Sequence, residues 1–229
     1  MFSGKVGFPL ILVNLKSYAE TLGHKAEKLA RTAEEVTRDT GVCIGLAPQF
    51  MDIRLVSKFE IPVFSQHADP TQPGASTGHI PLESVLDAGA VGTIVNHSER
   101  RLELSDIEAV VERARSVGLM SVVCANSKKV GMAAASLGPE AVAIEPPELI
   151  GSGIAVSKAK PEIVSQSVES IKKIDRDVTV LCGAGISSGS DVYAAIRLGS
   201  SGVLVASGVV KAPDWKEVLL ELARAAART

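Results

Sequence analysis

Long unbroken apolar runs are missing from this chain of 229 residues. No stretch approaches the roughly 20 residues needed to span a bilayer, and the longest candidates are interrupted by Gly, Asn or Lys, which excludes a transmembrane role. The opening "MFSGKVGFPLILVNLKSYAE" has one early lysine, an apolar run broken by Asn14 and Lys16, and no small-residue cleavage site after it, so it is not expected to act as a signal peptide. Charge of one sign is also lacking: the net value of −2 leaves no global bias toward nucleic acid or anionic membrane. Cysteine is scarce. Cys43, Cys124 and Cys182 are odd in number and widely spaced in apolar runs, as expected for buried, reduced thiols in a cytoplasmic protein. The rival reading makes Cys182 in "VLCGAG" a catalytic thiol, although no base neighbours it in sequence. Neither a Pro/Ser-rich linker nor a charge block divides the chain, so residues 1 to 229 read as one domain.

What the chain does have is a recurrence of short β-branched runs: "PLILVNLK", "VCIGLAP", "IPVFSQHA", "GTIVNHSE", "SVVCAN", "AVAIEP", "VTVLCGAG" and "GVLVASG". Most are apolar on both side-chain parities, the pattern of parallel strands covered on both faces. Between them lie helical stripes, such as Leu22, Ala26, Leu29, Ala33 and Val36, or Ile107, Val110, Val111, Ala114 and Val117. Ser105 with Glu108 and Asp214 with Glu217 fit the capping box at a helix start. The second, third and fifth crossovers have room for only two or three helical turns. Eight strand–helix units can form an open doubly wound sheet or a closed (β/α)8 barrel. Closure is the expected solution, because no edge strand is identifiable and no GxGxxG turn is present.

In such a barrel reactive groups belong at the C-terminal ends of the strands. The polar residues at those positions are Asn14 and Lys16, Gln66 and His67, Asn96 to Glu99, Asn126, and Glu145. The last two strands end instead in "CGAGIS" and "ASG", small residues whose backbone N–H groups could approach a tetrahedral anion, with a following helix N-terminus adding positive partial charge. Tight strand-to-helix turning would call for the same glycines. "AIEPPELIGSG" places Glu145 at the barrel mouth as a candidate base. The prolines after it and Gly151 and Gly153 beyond read as a rigid flap with two hinges and an apolar tip at Leu149 and Ile150; an ordinary proline turn is the alternative.

Taken in order, "VNLK", "NHSERR", "IEPPELIGSG", "LCGAGIS" and "VLVASG" resemble the triosephosphate isomerase family over the whole chain, in its shorter archaeal form. The resemblance implies an aldose–ketose isomerase of glycolysis and gluconeogenesis acting on triose phosphates without metal or organic cofactor. It implies Glu145 as base, His97 as a neutral electrophile buried at a helix N-terminus, and Asn14 and Lys16 as the substrate-binding pair. Backbone contacts to phosphate would come from Ile150, Gly185, Ala206 and Ser207. Glu99 would contact the lysine behind the site, or alternatively pair with Arg100 or Arg101. The family also implies a homo-oligomer, at least a dimer and plausibly a tetramer, because the long Gly/Pro-rich loop at 65 to 81 corresponds to one that docks into a neighbouring subunit. Two rivals stand beside this reading: a metal-dependent epimerase using His67 and Asp69, and a non-catalytic phosphosugar-binding barrel.

Overall fold

The computed structural model describes residues 4 to 146, 155, 157 and 160 to 228. Eight parallel strands are present: β1 (Leu10–Asn14), β2 (Cys43–Ala47), β3 (Phe64–Ser65), β4 (Gly92–Val95), β5 (Met120–Ala125), β6 (Ala141–Ile144), β7 (Thr179–Cys182) and β8 (Gly202–Val205). They pair in the order β2-β1-β8-β7-β6-β5-β4-β3. The two outer members meet through a single parallel bridge, Leu46 to Val63, with the Leu46 N–H donating to Pro62 O at 3.0 Å. That bridge closes the sheet into a (β/α)8 barrel, and every ladder then has a neighbour on both sides.

The described helices are α1 (His24–Thr40), α2 (Ile53–Val56), α3 (Leu82–Asp87), α4 (Leu104–Val117), α5 (Lys128–Ser136), α6 (Pro161–Ile174), α7 (Gly189–Arg197), α8 (Ser207–Val210) and α9 (Trp215–Ala226). The crossovers with least room do carry the short helices α2, α3 and α5. The apolar stripe of α1 buries Ala26, Leu29, Ala30, Ala33 and Val36. Leu22 falls outside the helix and is exposed. Truncating one such anchor, Leu29→Ala, is a core deletion of the type that costs about 2–5 kcal/mol.

Strand alternation sorts the core into two layers. Leu10, Leu12, Phe64, Ile94, Val122, Cys124, Leu181 and Leu204 fill the barrel interior. Ile11, Val13, Ile44, Val123, Val142 and Val180 face the helices. Both parities are therefore buried, which is why the strands read as continuous apolar runs. Among the described residues no helix is long and apolar enough to cross a membrane.

Cap chemistry departs from the sequence reading in one place. Asp214 does cap α9, accepting from the N–H groups of Lys216 and Glu217 at 2.8 and 3.0 Å. Ser105, however, sits inside α4: the chain has already entered the helix, with Ile107 N–H donating to Glu103 O at 3.0 Å, and Glu103 at the N-cap makes no side-chain cap. A full capping box is instead formed at α7 by Ser188 and Asp191.

Candidate active site

Among the described residues three other than glycine have left-handed backbones: Lys16 (φ 47°), Asn96 (φ 59°) and Ala184 (φ 70°). They follow β1, β4 and β7 at the C-terminal mouth. Such conformations cost roughly 1–3 kcal/mol each and persist where surrounding bonds enforce them. Asn14 Oδ1 accepts the Lys16 N–H at 2.9 Å, while Gln66 Nε2 donates to Lys16 O at 2.9 Å and to Ala47 O at 3.0 Å. Asn96 Nδ2 donates to Cys124 O at 3.1 Å, and its Oδ1 accepts the Leu102 N–H at 3.0 Å. These bonds turn the chain sharply after each strand, and Lys16 and His97 are thereby aimed over the barrel axis.

A cavity of about 190 Å³ opens there, with Asn14, Lys16, His97 and Glu145 on one side and residues 184–187 and 206–208 on the other. Its size suits a small metabolite and is too small for a dinucleotide. Glu145 N–H donates to Ala125 O at 2.8 Å, prolonging the β5–β6 ladder by one residue, so the side chain leaves the sheet at the mouth. The carboxylate is buried, and its Oε2 has no hydrogen-bond partner although it lies 3.6 Å from His97 Nε2. Gly183 makes this placement possible: a Cβ there would stand 2.5 Å from Glu145 Cγ and 2.9 Å from its Oε1.

His97 Nδ1 accepts the Glu99 N–H at 3.2 Å. A backbone amide can only donate, so the bond assigns the ring proton to Nε2, which faces Glu145. The expected helix N-terminus does not stand at His97. Residues 97 to 100 form a turn, with Arg100 N–H bonded to His97 O at 2.8 Å, and α4 begins only at Leu104, so a turn amide and not a helix N-terminus fixes the tautomer. Glu99 Oε1 lies 2.7 Å from Lys16 Nζ. The Glu99 side chain is 57% exposed, so the pair contributes little stability.

Burial, reinforced by the Glu145 charge, raises both core thiols. Cys182 is pushed up to about 12 and Cys124 well above the ordinary thiol range. Protonated and enclosed, neither has a nucleophile to offer near neutral pH.

The opposite wall is made of backbone. The first turn of α8 leaves the Ser207 and Gly208 N–H groups without intrahelical acceptors, while those of Val209 and Val210 reach Ala206 O at 3.0 and 2.9 Å. Gly208 lets this turn touch the β7 loop, since a Cβ would stand 2.7 Å from Ile186 O. The longer helix α7 contributes less than the sequence suggested. Asp191 Oδ2 takes the Ser187 and Ser188 N–H groups at 3.0 and 2.9 Å, so the amides at that N-terminus are already engaged.

Of the residues singled out in the sequence, Asn14, Lys16, His97, Glu145, Gly185, Ala206 and Ser207 line this one cavity, and Glu99 adjoins it through Lys16. Ile150 and the remainder of the flap, 147 to 153, lie outside the described residues. Tyr18, Leu204 and Val205 also line the cavity and were not singled out for it; Tyr18 alone carried a signal, as an aromatic two residues past the lysine in a chain with two tyrosines. His67 and Asp69, the pair considered as metal ligands, bond to each other at 3.0 Å, and Asp69 also accepts the Ile80 N–H at 2.7 Å. Among the described residues no group of three or more His, Cys, Asp and Glu is placed to hold a metal ion.

Fold and site together define a (β/α)8-barrel enzyme with a buried carboxylate and an imidazole facing one small cavity. A triosephosphate isomerase family profile matches residues 9 to 226. The chain is 50% identical to the triosephosphate isomerase of Methanocaldococcus jannaschii over 93% of its own length and 98% of that protein. It is 53% identical to that of Methanothermus fervidus, covering 93% and 97%, and 53% identical to that of Methanosarcina acetivorans, covering 96% and 99%. The chain belongs to the triosephosphate isomerase family.

Proposed function

We propose that this cavity interconverts dihydroxyacetone phosphate and D-glyceraldehyde 3-phosphate through an enediolate, with no metal or organic cofactor. The observation carrying this reading is the buried Glu145 Oε2, unpartnered and 3.6 Å from His97 Nε2, across the cavity from a wall of backbone amides. Leaving a buried acceptor unsatisfied costs about 1–3 kcal/mol, and a base kept free for a substrate proton accounts for that cost. Glu145 removes a proton from the carbon beside the carbonyl. The electron pair enters the new carbon–carbon double bond and the carbonyl electrons move onto oxygen. His97 donates its Nε2 proton to that oxygen and recovers one from the neighbouring hydroxyl, whose carbon becomes the new carbonyl as Glu145 delivers the carbon-bound proton to the former carbonyl carbon. Lys16 offsets the charge of phosphate and enediolate, Asn14 holds the Lys16 backbone, and the amides around Gly185, Ala206 and Ser207 hold the phosphate. Glu99 orients Lys16. A coupled isomerase assay on the purified protein, with EDTA present, tests the reading. Turnover of both triose phosphates with competitive inhibition by inorganic phosphate is expected; a folded protein that turns over neither overturns it.

We further infer a cytoplasmic homo-oligomer, a dimer or tetramer. Asp69 clasps the base of the loop at both ends through its own N–H to Ile80 O at 2.9 Å and its Oδ2 to Ile80 N–H, so that exposed residues around 72 to 79 project. Beside the catalytic cavity an open chamber of about 500 Å³ is lined by Phe50, Gln66 and Arg100, with Met51 90% exposed nearby in sequence. A neighbouring copy's loop is the proposed occupant. Light scattering at micromolar concentration tests this, and a monomer mass overturns it.

A further inference from the structure

The charges around the cavity do not favour an anionic substrate by themselves. Among the described residues the charged side chains lining it are Lys16 and Glu145; Glu99 sits 2.7 Å from Lys16 Nζ, and Arg100 in the adjoining chamber lies 3.9 Å from the Asp69 carboxylate, which offsets it. Formally that is one cation against two carboxylates. A triose phosphate, carrying close to two negative charges near neutral pH, would meet a net repulsion at the point of entry, and backbone dipoles act only at short range.

A further cation stands beside a residue that lines the cavity. Lys211 ends α8, the turn whose first residues line the cavity, and its N–H donates to Ser207 O at 3.1 Å. Its side chain turns toward Tyr18, with Nζ 4.9 Å from the ring centroid. Tyr18 itself lines both the catalytic cavity and the adjoining chamber. Among the described residues no carboxylate lies within 4.0 Å of the Lys211 ammonium. An exposed lysine ordinarily samples many rotamers; an aromatic face contributes about 0.5–1 kcal/mol toward holding one of them. The backbone that carries the ring is itself fixed. Tyr18 N–H bonds to Leu15 O, and Tyr18 O accepts the Thr21 N–H, in the turn that holds Lys16 in its left-handed conformation.

We propose that Lys211, held over the Tyr18 ring, supplies the positive charge that draws phosphorylated substrates into the cavity, with Tyr18 as its positioning residue. The inference rests on the reaction assigned above and adds to it a determinant of specificity for the anionic substrate. A charge acting at entry works through long-range attraction, so its effect follows the Debye length, roughly 30 Å at 0.01 M ionic strength and 3 Å at 1 M.

Lys211→Met keeps the stem and removes the charge. For D-glyceraldehyde 3-phosphate, kcat/KM is expected to fall about three- to tenfold at roughly 0.01 M ionic strength and less than about twofold at roughly 1 M, with the loss in KM and not in kcat. Calorimetric binding of inorganic phosphate should weaken by the same factor with the same salt dependence. Tyr18→Leu, which releases the lysine, should reproduce the low-salt loss, and Tyr18→Phe, which keeps the ring, should restore it. A parent and a Lys211→Met protein with equal phosphate affinity at both salt concentrations would overturn the proposal, and a Tyr18→Leu protein with the parent's salt dependence would overturn the positioning role. Because phosphate binding is read without turnover, a parent inactive toward triose phosphates would refute the assigned reaction separately.

Discussion

At the ends of β1, β4 and β6 the cavity is lined by the side chains Lys16, His97 and Glu145, whereas at the ends of β7 and β8 its wall is Ala184, Gly185, Ser207 and Gly208, which present backbone. The first region acts through group identity and reach. The second acts through space, because small residues let amides stand where a larger side chain would intrude. Substitutions in the two regions should therefore fail in different kinetic terms.

The largest effect is expected from Glu145→Asp. The charge is kept while the carboxylate withdraws by one methylene, and a displacement of about 1 Å can cost on the order of 10²-fold in rate, or ~2.7 kcal/mol. Steady-state kinetics should show kcat lowered by about 10² and KM changed only a few-fold. A kcat within about threefold of the parent, with circular dichroism unchanged, would remove Glu145 from the role of base.

Ser207→Asp addresses the backbone wall. It sets a carboxylate at the first residue of α8, beside the amides assigned to phosphate, and should raise KM by about 30-fold and abolish inhibition by inorganic phosphate while leaving kcat within a few-fold. If KM and phosphate inhibition both stayed at parent values, the anion would bind elsewhere.

How far each region could be read in the sequence follows the same division. Glu145 and Lys16 stood out because a charge at the end of an apolar strand has few structural reasons to be there, whereas His97, which reads equally well as a core histidine, was picked out by the family resemblance of "NHSERR". The eight strands and the barrel were legible because burial on both faces writes itself into both parities. Small residues carry less information: "CGAGIS" suits an anion site or a tight turn equally well, and only the geometry shows that the Ser187 and Ser188 amides are taken by Asp191 while Ser207 and Gly208 at the start of α8 line the cavity. The start of α4 was misplaced for a related reason. Ser105 and Glu108 have the right spacing, but the turn at His97–Arg100 delivers the chain into the helix before Ser105 is reached. The cation–π pair of Tyr18 and Lys211 joins residues distant in the chain and left no local pattern.

Gly183→Ala is a way to break the comparison, since Gly183 directly follows β7 yet shapes the base. The added Cβ would stand 2.5 Å from Glu145 Cγ and 3.0 Å from its Cδ, closer than real atoms approach, and the flexible glutamate is the partner that can give. A shift of several tenths of an ångström predicts a kcat loss of about tenfold with KM little changed. A rise in KM alone would return Gly183 to the backbone wall.

The smallest effect, and the one that sharpens the division most, belongs to Asp191. Its buried carboxylate accepts the Ser187 and Ser188 N–H groups and the Ser187 hydroxyl, at 3.0, 2.9 and 3.3 Å, so it engages the amides that lead into α7 and sets a negative charge beside the amide wall. Asp191→Asn keeps an acceptor oxygen in place, removes the charge and turns one acceptor into a donor facing donors. The weakened cap should cost about 1 kcal/mol, which for a domain of this length lowers Tm by roughly 2–4 °C. Phosphate should bind more tightly, by about twofold, because a like charge no longer opposes it through the loop. Kcat should not move, since Asp191 touches neither Glu145 nor His97 in the contacts that define the site. Thermal melting and phosphate titration on the same preparation read both quantities. A lower Tm with weaker phosphate binding would mean that the α7 amides, once freed, collapse the wall they abut, and the two regions would then differ less in kind than in how much of their structure is committed before substrate arrives.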